Sequence, residues 1–128
     1  MTKILIIEDE ESVRENILDL LEAEGFDTIT AANGRIGLQL ALYEDPDIVV
    51  CDLMLPEIDG YSVLTALREQ PFTATMPFIF LTARSSRVDF YQGMDLGADD
   101  YLTKPFTRAE LLSAVTRRLL KQANVTIG

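Results

Sequence analysis

Histidine is missing altogether from this 128-residue chain. Ser-His-Asp and Cys-His catalysis are thereby excluded, as are histidine metal sites, and the chain cannot itself carry a phosphohistidine. Cysteine is nearly as scarce. Cys51 stands alone, so no internal disulfide can form, and a reducing cytoplasm is the expected setting. Positive charge is also in short supply: 11 Lys and Arg face 21 Asp and Glu, a formal net charge of −10. A domain without a basic face does not grip a nucleic-acid backbone directly. No apolar run approaches the roughly 20 residues that span a bilayer. Met1-Thr2-Lys3 leads straight into a strand-like run rather than a signal peptide, so no membrane association is expected. Any metal site must be built from oxygen ligands, which suits a hard cation such as magnesium or calcium.

What is present is a globular composition, 48% hydrophobic and 25% charged, at a length that suits one domain with one ordinary core. Apolar runs alternate with segments of helical periodicity. Ile4-Leu5-Ile6-Ile7 reads as a buried strand, and Val13, Ile17, Leu20 and Leu21 as a helix ending near Gly25. Thr28-Ile29-Thr30-Ala31 is a more polar second strand, followed by a short helix over Ile36 to Leu42. Ile48-Val49-Val50-Cys51 is a third strand, and Met54 to Gly60 is a loop punctuated by Pro56 and Gly60. Val63, Leu64 and Leu67 mark the next helix. Phe78-Ile79-Phe80-Leu81 is a fourth strand, with a weaker helix over roughly Val88 to Leu96. Asp100-Tyr101-Leu102 is a short fifth strand, and Thr107 with Glu110 forms a capping-box pattern for a last helix carrying Leu111, Leu112, Val115 and Leu119.

Five β-α units in strict alternation predict an α/β fold, a doubly wound parallel five-stranded sheet with helices on both faces. Strands buried on both sides should be the most apolar. The first, third and fourth runs therefore belong in the middle, and the second and fifth at the edges. One domain is expected over residues 1–122, with residues 123–128 a tail or the start of a linker.

Parallel strands deliver their carboxyl ends to one rim, where ligands of such sheets bind. The first strand ends in Glu8-Asp9-Glu10, the third in Asp52, the fourth in Thr82 and the fifth in Lys104. Carboxylates, a hydroxyl and an ammonium from four parts of the chain thus converge on one crevice. Clustered carboxylates repel one another unless a cation sits among them. Magnesium typically keeps waters, one or two carboxylates and a phosphate oxygen. Asp52 is placed to act as a nucleophile, since an aspartyl phosphate is an established type of covalent intermediate. Lys104 and a metal would neutralise charge on a transferring phosphoryl group, and Thr82 offers a donor to its oxygens.

At this point the sequence resembles the response-regulator receiver domains of two-component signalling. The matching pieces are Lys3 to Asp9, Asp52-Leu53-Met54-Leu55-Pro56 with Asp59-Gly60, Leu81-Thr82-Ala83, and Gly97 to Phe106. They stand in the family's order and span nearly the whole chain. The resemblance implies a flavodoxin-like strand order, 2-1-3-4-5, and phosphorylation of Asp52 by a sensor histidine kinase or histidine phosphotransfer protein. It implies magnesium, with manganese able to substitute, held by Asp9, Asp52 and the backbone carbonyl of Met54, with Glu8 acting through water. Lys104 would contact the phosphoryl group and precede a cis bond to Pro105. Thr82 and Tyr101 would be a switch pair, altering the surface of the fourth helix, fifth strand and fifth helix to control an output domain or partner. Met54 and Arg84 occupy positions where members vary and where phosphoryl lifetime is tuned. Such a domain is a switch that catalyses only its own phosphorylation and dephosphorylation.

Blander readings stand beside these. Glu8-Asp9-Glu10 alone would be a solvated helix start, Thr82 an N-cap, Tyr101 an edge-strand aromatic, and Cys51 a small buried hydrophobe. Asp52 and Lys104, each closing a buried strand, are harder to explain that way. Some members dimerise through charged pairs on the last helices. Here Phe90, Ala114 and Thr116 leave that set incomplete, although Asp100 and Arg117 or Arg118 remain, so a phosphorylation-dependent dimer stays open. A phosphatase with an aspartyl-phosphate intermediate is a rival, but Asp9-Glu10-Glu11 lacks its Asp-x-Asp pair and no cap insertion is present. A phosphate-independent adaptor is a second rival, which the intact set Asp9, Asp52, Thr82 and Lys104 disfavours. The output is not legible: the chain reads as a stand-alone receiver or one cut from a longer protein.

Overall fold

The protein is described by a computed structural model that covers the backbone of residues 2–83, 94–95 and 97–127, with side chains as far as residue 120. Strands β1 (Lys3–Ile7), β2 (Asp27–Ala31), β3 (Ile48–Asp52), β4 (Phe78–Thr82) and β5 (Asp100–Thr103) alternate with helices α1 (Glu11–Ala23), α2 (Gly34–Glu44) and α3 (Gly60–Glu69). The last helix, labelled α4, is Arg108–Ile127. The helix expected over roughly Val88 to Leu96 lies outside the described residues except for Met94 and Asp95, as do Arg84 and Phe90.

All strand pairs are parallel, and the order is β2-β1-β3-β4-β5. Sequence polarity sorted central strands from edge strands correctly, and the full order is the one the resemblance implied. The residues of β3 and β4 are all buried, whereas β2 and β5, at the edges, are largely half-exposed. Alternate residues of each central strand serve opposite cores. Leu5, Ile7, Val49, Cys51, Phe78 and Phe80 pack with Ala41 of α2 and Val63, Leu64 and Leu67 of α3. Ile4, Ile6, Ile48, Val50, Ile79 and Leu81 pack with Ile17 and Leu21 of α1 and Leu111, Ala114 and Val115 of α4. Each fully buried side chain of this size contributes roughly 1.5–3 kcal/mol.

With both faces apolar, alternation alone does not set strand register. Polar pins at the amino ends do. The Lys3 N–H donates to Asp47 Oδ2 (2.8 Å) and the Phe78 N–H to Asp99 Oδ2 (2.8 Å). The starts of α2, α3 and α4 are fixed by side chains too. Asn33 Oδ1 accepts from the Ile36 N–H (2.8 Å), and Asp59 Oδ1 from the Ser62 N–H (2.9 Å). The Thr107–Glu110 capping box is reciprocal, at 2.9 and 3.1 Å. Beyond Lys121, where loose chain was expected, α4 continues to Ile127. No Gly or Pro interrupts it before Gly128, so nothing in the sequence stops the helix earlier. Among the described residues no helix is long and apolar enough to cross a membrane.

Candidate functional site

The site assembles from the carboxyl ends of β1, β3, β4 and β5. Glu8 follows β1, and its N–H still donates to the Ala31 carbonyl (3.1 Å), which keeps the chain extended for one more residue. Glu8 is fully buried while the next residue, Asp9, is exposed. Asp52 is the last residue of β3 and only 6% exposed. Carboxylate oxygens of Glu8, Asp9 and Asp52 all lie within 4.8 Å of one another.

Lys104 reaches these acids because β5 pairs with β4 up to Thr103 opposite Thr82, after which the Lys104 N–H donates to the Thr82 carbonyl (2.6 Å). Its ammonium donates to Asp52 Oδ2 (3.1 Å) and forms a close ion pair with Glu8 Oε1. The Lys104–Pro105 peptide bond is cis, as the resemblance implied. Asp52 Oδ1 accepts from the Met54 N–H (3.3 Å), which brings the Met54 backbone to the cluster while its side chain stays exposed.

One ammonium cannot neutralise three carboxylates in a low-dielectric setting. The buried member carries the consequence. Burial pushes the Glu8 carboxyl up to about 7, with Asp52 adding to the rise and the hydrogen bonds from Lys104 and the Glu10 N–H opposing it. Burial alone would lower the Lys104 ammonium. Its hydrogen bond to Glu8 and the charge of Asp52 outweigh that and hold it above the usual lysine value. The donors are all oxygens, and among the described residues the cluster is short of positive charge. The residues present therefore fit a hard divalent cation.

The remaining expected residues fall around this centre. Thr82 is fully buried at the end of β4. Tyr101 is set back on β5, half-buried, with its ring edge-on to Phe80 at 6.4 Å between centroids. Cys51 is buried as anticipated, its thiol pushed up first by burial and then by Asp52, Glu8 and Asp59. Arg84 lies outside the described residues. Sequence reasoning missed Arg14 and, for Glu10, which it had placed at the rim, the part played by the backbone. Arg14, the one basic residue of α1, donates to the Glu8 carbonyl (2.9 Å), and its isolation in an acidic helix was the available signal. Glu10 serves through its backbone, its N–H donating to Glu8 Oε2 (3.2 Å), and its side chain does not cap α1. Beside Lys104 opens a groove of about 560 Å³ whose walls include Val13, Asn16, Ala83, Pro105 and Phe106.

Comparison with known proteins defines the class of protein that this sheet and acid cluster belong to. Residues 4–116 match the family model of the response regulator receiver domain. The chain belongs to that family, whose members accept a phosphoryl group on an aspartate in kinase signalling. It is 43% identical to the DNA-binding dual master transcriptional regulator RpaA of Synechocystis sp., over 97% of this chain and 51% of that protein. The chain thus spans about half the length of the regulators it matches in this way. A putative response regulator from Chloroflexus aurantiacus superposes with a TM-score of 0.89 at 36% identity, covering 93% of this chain and 98% of that one. The receiver domain of sensor histidine kinase PA1611 from Pseudomonas aeruginosa, solved with a magnesium ion in its active-site cleft, superposes at 0.86 with 32% identity, covering 92% and 97%.

Proposed function

We propose that this receiver domain accepts a phosphoryl group on Asp52 from the phosphohistidine of a sensor histidine kinase or histidine phosphotransfer protein. The observation that carries the reading is the joining of Asp52 and Glu8, from two different strands, by the Lys104 ammonium, with Asp9 alongside. The acids repel one another, so an incoming dianion is acceptable there only with added cation. Asp9, Asp52 and the Met54 carbonyl would hold Mg2+ or Mn2+, with Glu8 acting through water, and the ion would neutralise charge on the transferring group.

Asp52 attacks phosphorus, the P–N bond to the donor imidazole breaks, and a P–O bond to the carboxylate forms. Lys104 stays within reach of the new phosphoryl oxygens, where a fixed ammonium stabilises charge that water would otherwise have to reorganise to meet. The exposed Met54 side chain tunes attack by water on the acyl phosphate, and Arg84 would do the same. The domain catalyses nothing beyond gaining and losing this group.

Phosphorylation adds about −1.5 to −2 charge. The Thr82 hydroxyl follows the new oxygens, and Tyr101 turns inward towards the space it leaves. This alters the surface around β5 and α4 that a downstream effector domain or protein reads in the cytoplasm. A near-complete switch requires a preference of roughly 5.5 kcal/mol for one state. The test is incubation with acetyl phosphate and Mg2+ followed by intact mass. Wild type should gain one phosphoryl group and Asp52→Asn none; equal gain by both would remove Asp52 from its role.

A further inference from the structure

The loop that leaves Asp52 is gripped at two places by glycines. At its far end, a Cβ on Gly60 would stand 2.6 Å from the Asp52 carbonyl oxygen and 2.9 Å from Leu53 Cα. The Gly60 N–H donates to the Leu53 carbonyl (2.9 Å), so the loop closes back on the backbone of Asp52. On its outer side, a Cβ on Gly34 would stand 2.6 Å from the Ile58 carbonyl oxygen and 3.1 Å from Val63 Cγ2. The nearest atom in both cases is backbone, which cannot swing aside as the tip of a side chain can. Between the two glycines, Glu57 holds a left-handed conformation, φ 65°, unusual for a residue with a Cβ.

Gly34 is not there for conformational freedom, since the positive-φ glycines among the described residues are Gly25 and Gly97. Glycine is a poor helix former, and Gly34 opens α2, so a position that favours other residues is given to the one residue without a Cβ. Asn33, immediately before it, ties down the first turn by accepting from the Ile36 N–H (2.8 Å). The first turn of α2 is therefore a firm seat on which the Ile58 carbonyl rests. The near end of the loop is equally firm, with the Leu53 N–H donating to the Leu81 carbonyl (2.8 Å). A displacement at Ile58 has little room to dissipate except through Met54 to Pro56. The Met54 N–H bond to Asp52 Oδ1, at 3.3 Å, is long enough for a small shift to break it.

We propose that Gly34, on α2 and outside the acid cluster, is a positioning residue for Asp52, acting through the Ile58 carbonyl and the Met54 N–H. The proposal rests on the reading of Asp52 as phosphoryl acceptor. A Cβ at position 34 pushes the loop, withdraws the Met54 N–H from Asp52 Oδ1 and leaves the carboxylate free to rotate out of line with its donor.

The test compares Gly34→Ala with Ala41→Gly, which loosens the same helix two turns away and adds no atom against the loop. Both are measured at a temperature where each is fully folded, and the readouts are the Met54 amide resonance in metal-free protein and the rate of labelling by acetyl phosphate with Mg2+. Gly34→Ala should move the Met54 resonance and slow labelling roughly tenfold to a hundredfold, the cost of misplacing a reacting group by a fraction of an ångström to about 1 Å. Ala41→Gly should leave both as in wild type. An unmoved Met54 resonance with unchanged labelling in Gly34→Ala overturns the proposal, and so do equal shifts in both variants. Should wild type itself not label, the acceptor reading fails while the Met54 resonance still decides the role of Gly34. Should Gly34→Ala not fold, Asn33→Ala frees the same helical turn; a Met54 resonance that stays in place in that variant overturns the proposal.

Discussion

The two rims of the sheet solve the problem of buried charge in opposite ways. At the amino ends of β4 and β5, Arg68 from α3 donates to the carbonyls of Met76 (2.8 Å), Gly97 (2.8 and 3.2 Å) and Thr73 (3.3 Å). Its guanidinium also pairs with Asp99 Oδ2 (3.5 Å), which itself accepts from the Phe78 N–H. One cation meets one anion and three carbonyls, and every partner is part of the fold. Burial lowers the Arg68 pKa somewhat, with Asp99 opposing the fall. At the carboxyl ends, among the described residues, one cation, Lys104, pairs with Glu8 and Asp52, with Asp9 alongside them. The first rim is complete as the chain folds. The second keeps an excess of acids over cations among the described residues, and that difference separates a structural polar cluster from a candidate site.

Removing charge should therefore have opposite signs at the two rims. The largest effect belongs to Arg68→Met, which keeps the aliphatic stem but strands three carbonyls and a half-buried Asp99. It should cost roughly 3–5 kcal/mol in urea unfolding, with Mg2+ affinity of the folded protein unchanged. A loss confined to Mg2+ binding would erase the distinction between the rims.

The pH response sharpens the comparison. Glu8 holds its proton to about pH 7 in the folded chain, against about 4.5 for an ordinary glutamate. Between those values the folded state binds a proton that the unfolded state has released, so this group makes stability fall as pH rises through the window. The fall is about 3 kcal/mol at most. Saturating Mg2+ should flatten it, because a cation then does what the proton did. Urea midpoints at pH 5, 6, 7 and 8, with and without Mg2+, measure both; a slope that Mg2+ leaves untouched would show that Glu8 does not feel the metal.

The smallest effect has the most informative sign. Asp52→Asn removes one of the surplus charges while keeping shape, so metal-free protein should gain about 1 kcal/mol at neutral pH. Removal of a neighbouring negative charge should also lower the Glu8 pKa, visible in its carboxyl 13C titration. A destabilised variant would mean that Lys104 needs Asp52 more than the acids need relief.

Much of the architecture was readable in the residues. The all-apolar runs at Ile4, Ile48 and Phe78 could only be central strands. The polar Thr28 run and the short Asp100 run could only be edges, because ladder position follows from how many faces a strand must bury. Glu8, Asp9, Asp52 and Lys104 were legible for a related reason: each stands at or within two residues of the carboxyl end of a strand, and parallel strands all point those ends the same way. The stop of the last helix was misjudged at Lys121. Polarity there suggested loose chain, but no Gly or Pro stands between Lys121 and Gly128, and the helix runs on to Ile127.

Alternation of runs thus determined the sheet, which strands lie in its middle and which at its edges, and the shared address of four polar residues, since these depend on local periodicity and chain direction. The full order 2-1-3-4-5 came only from the family resemblance. Tertiary structure alone decided how those residues meet. That Lys104 bridges Glu8 and Asp52, that Arg14 holds the Glu8 carbonyl, and that Gly34 seats against Ile58 are all contacts between segments distant in the chain. Their distances are set by the packing of two whole cores, and no spacing along the sequence encodes them.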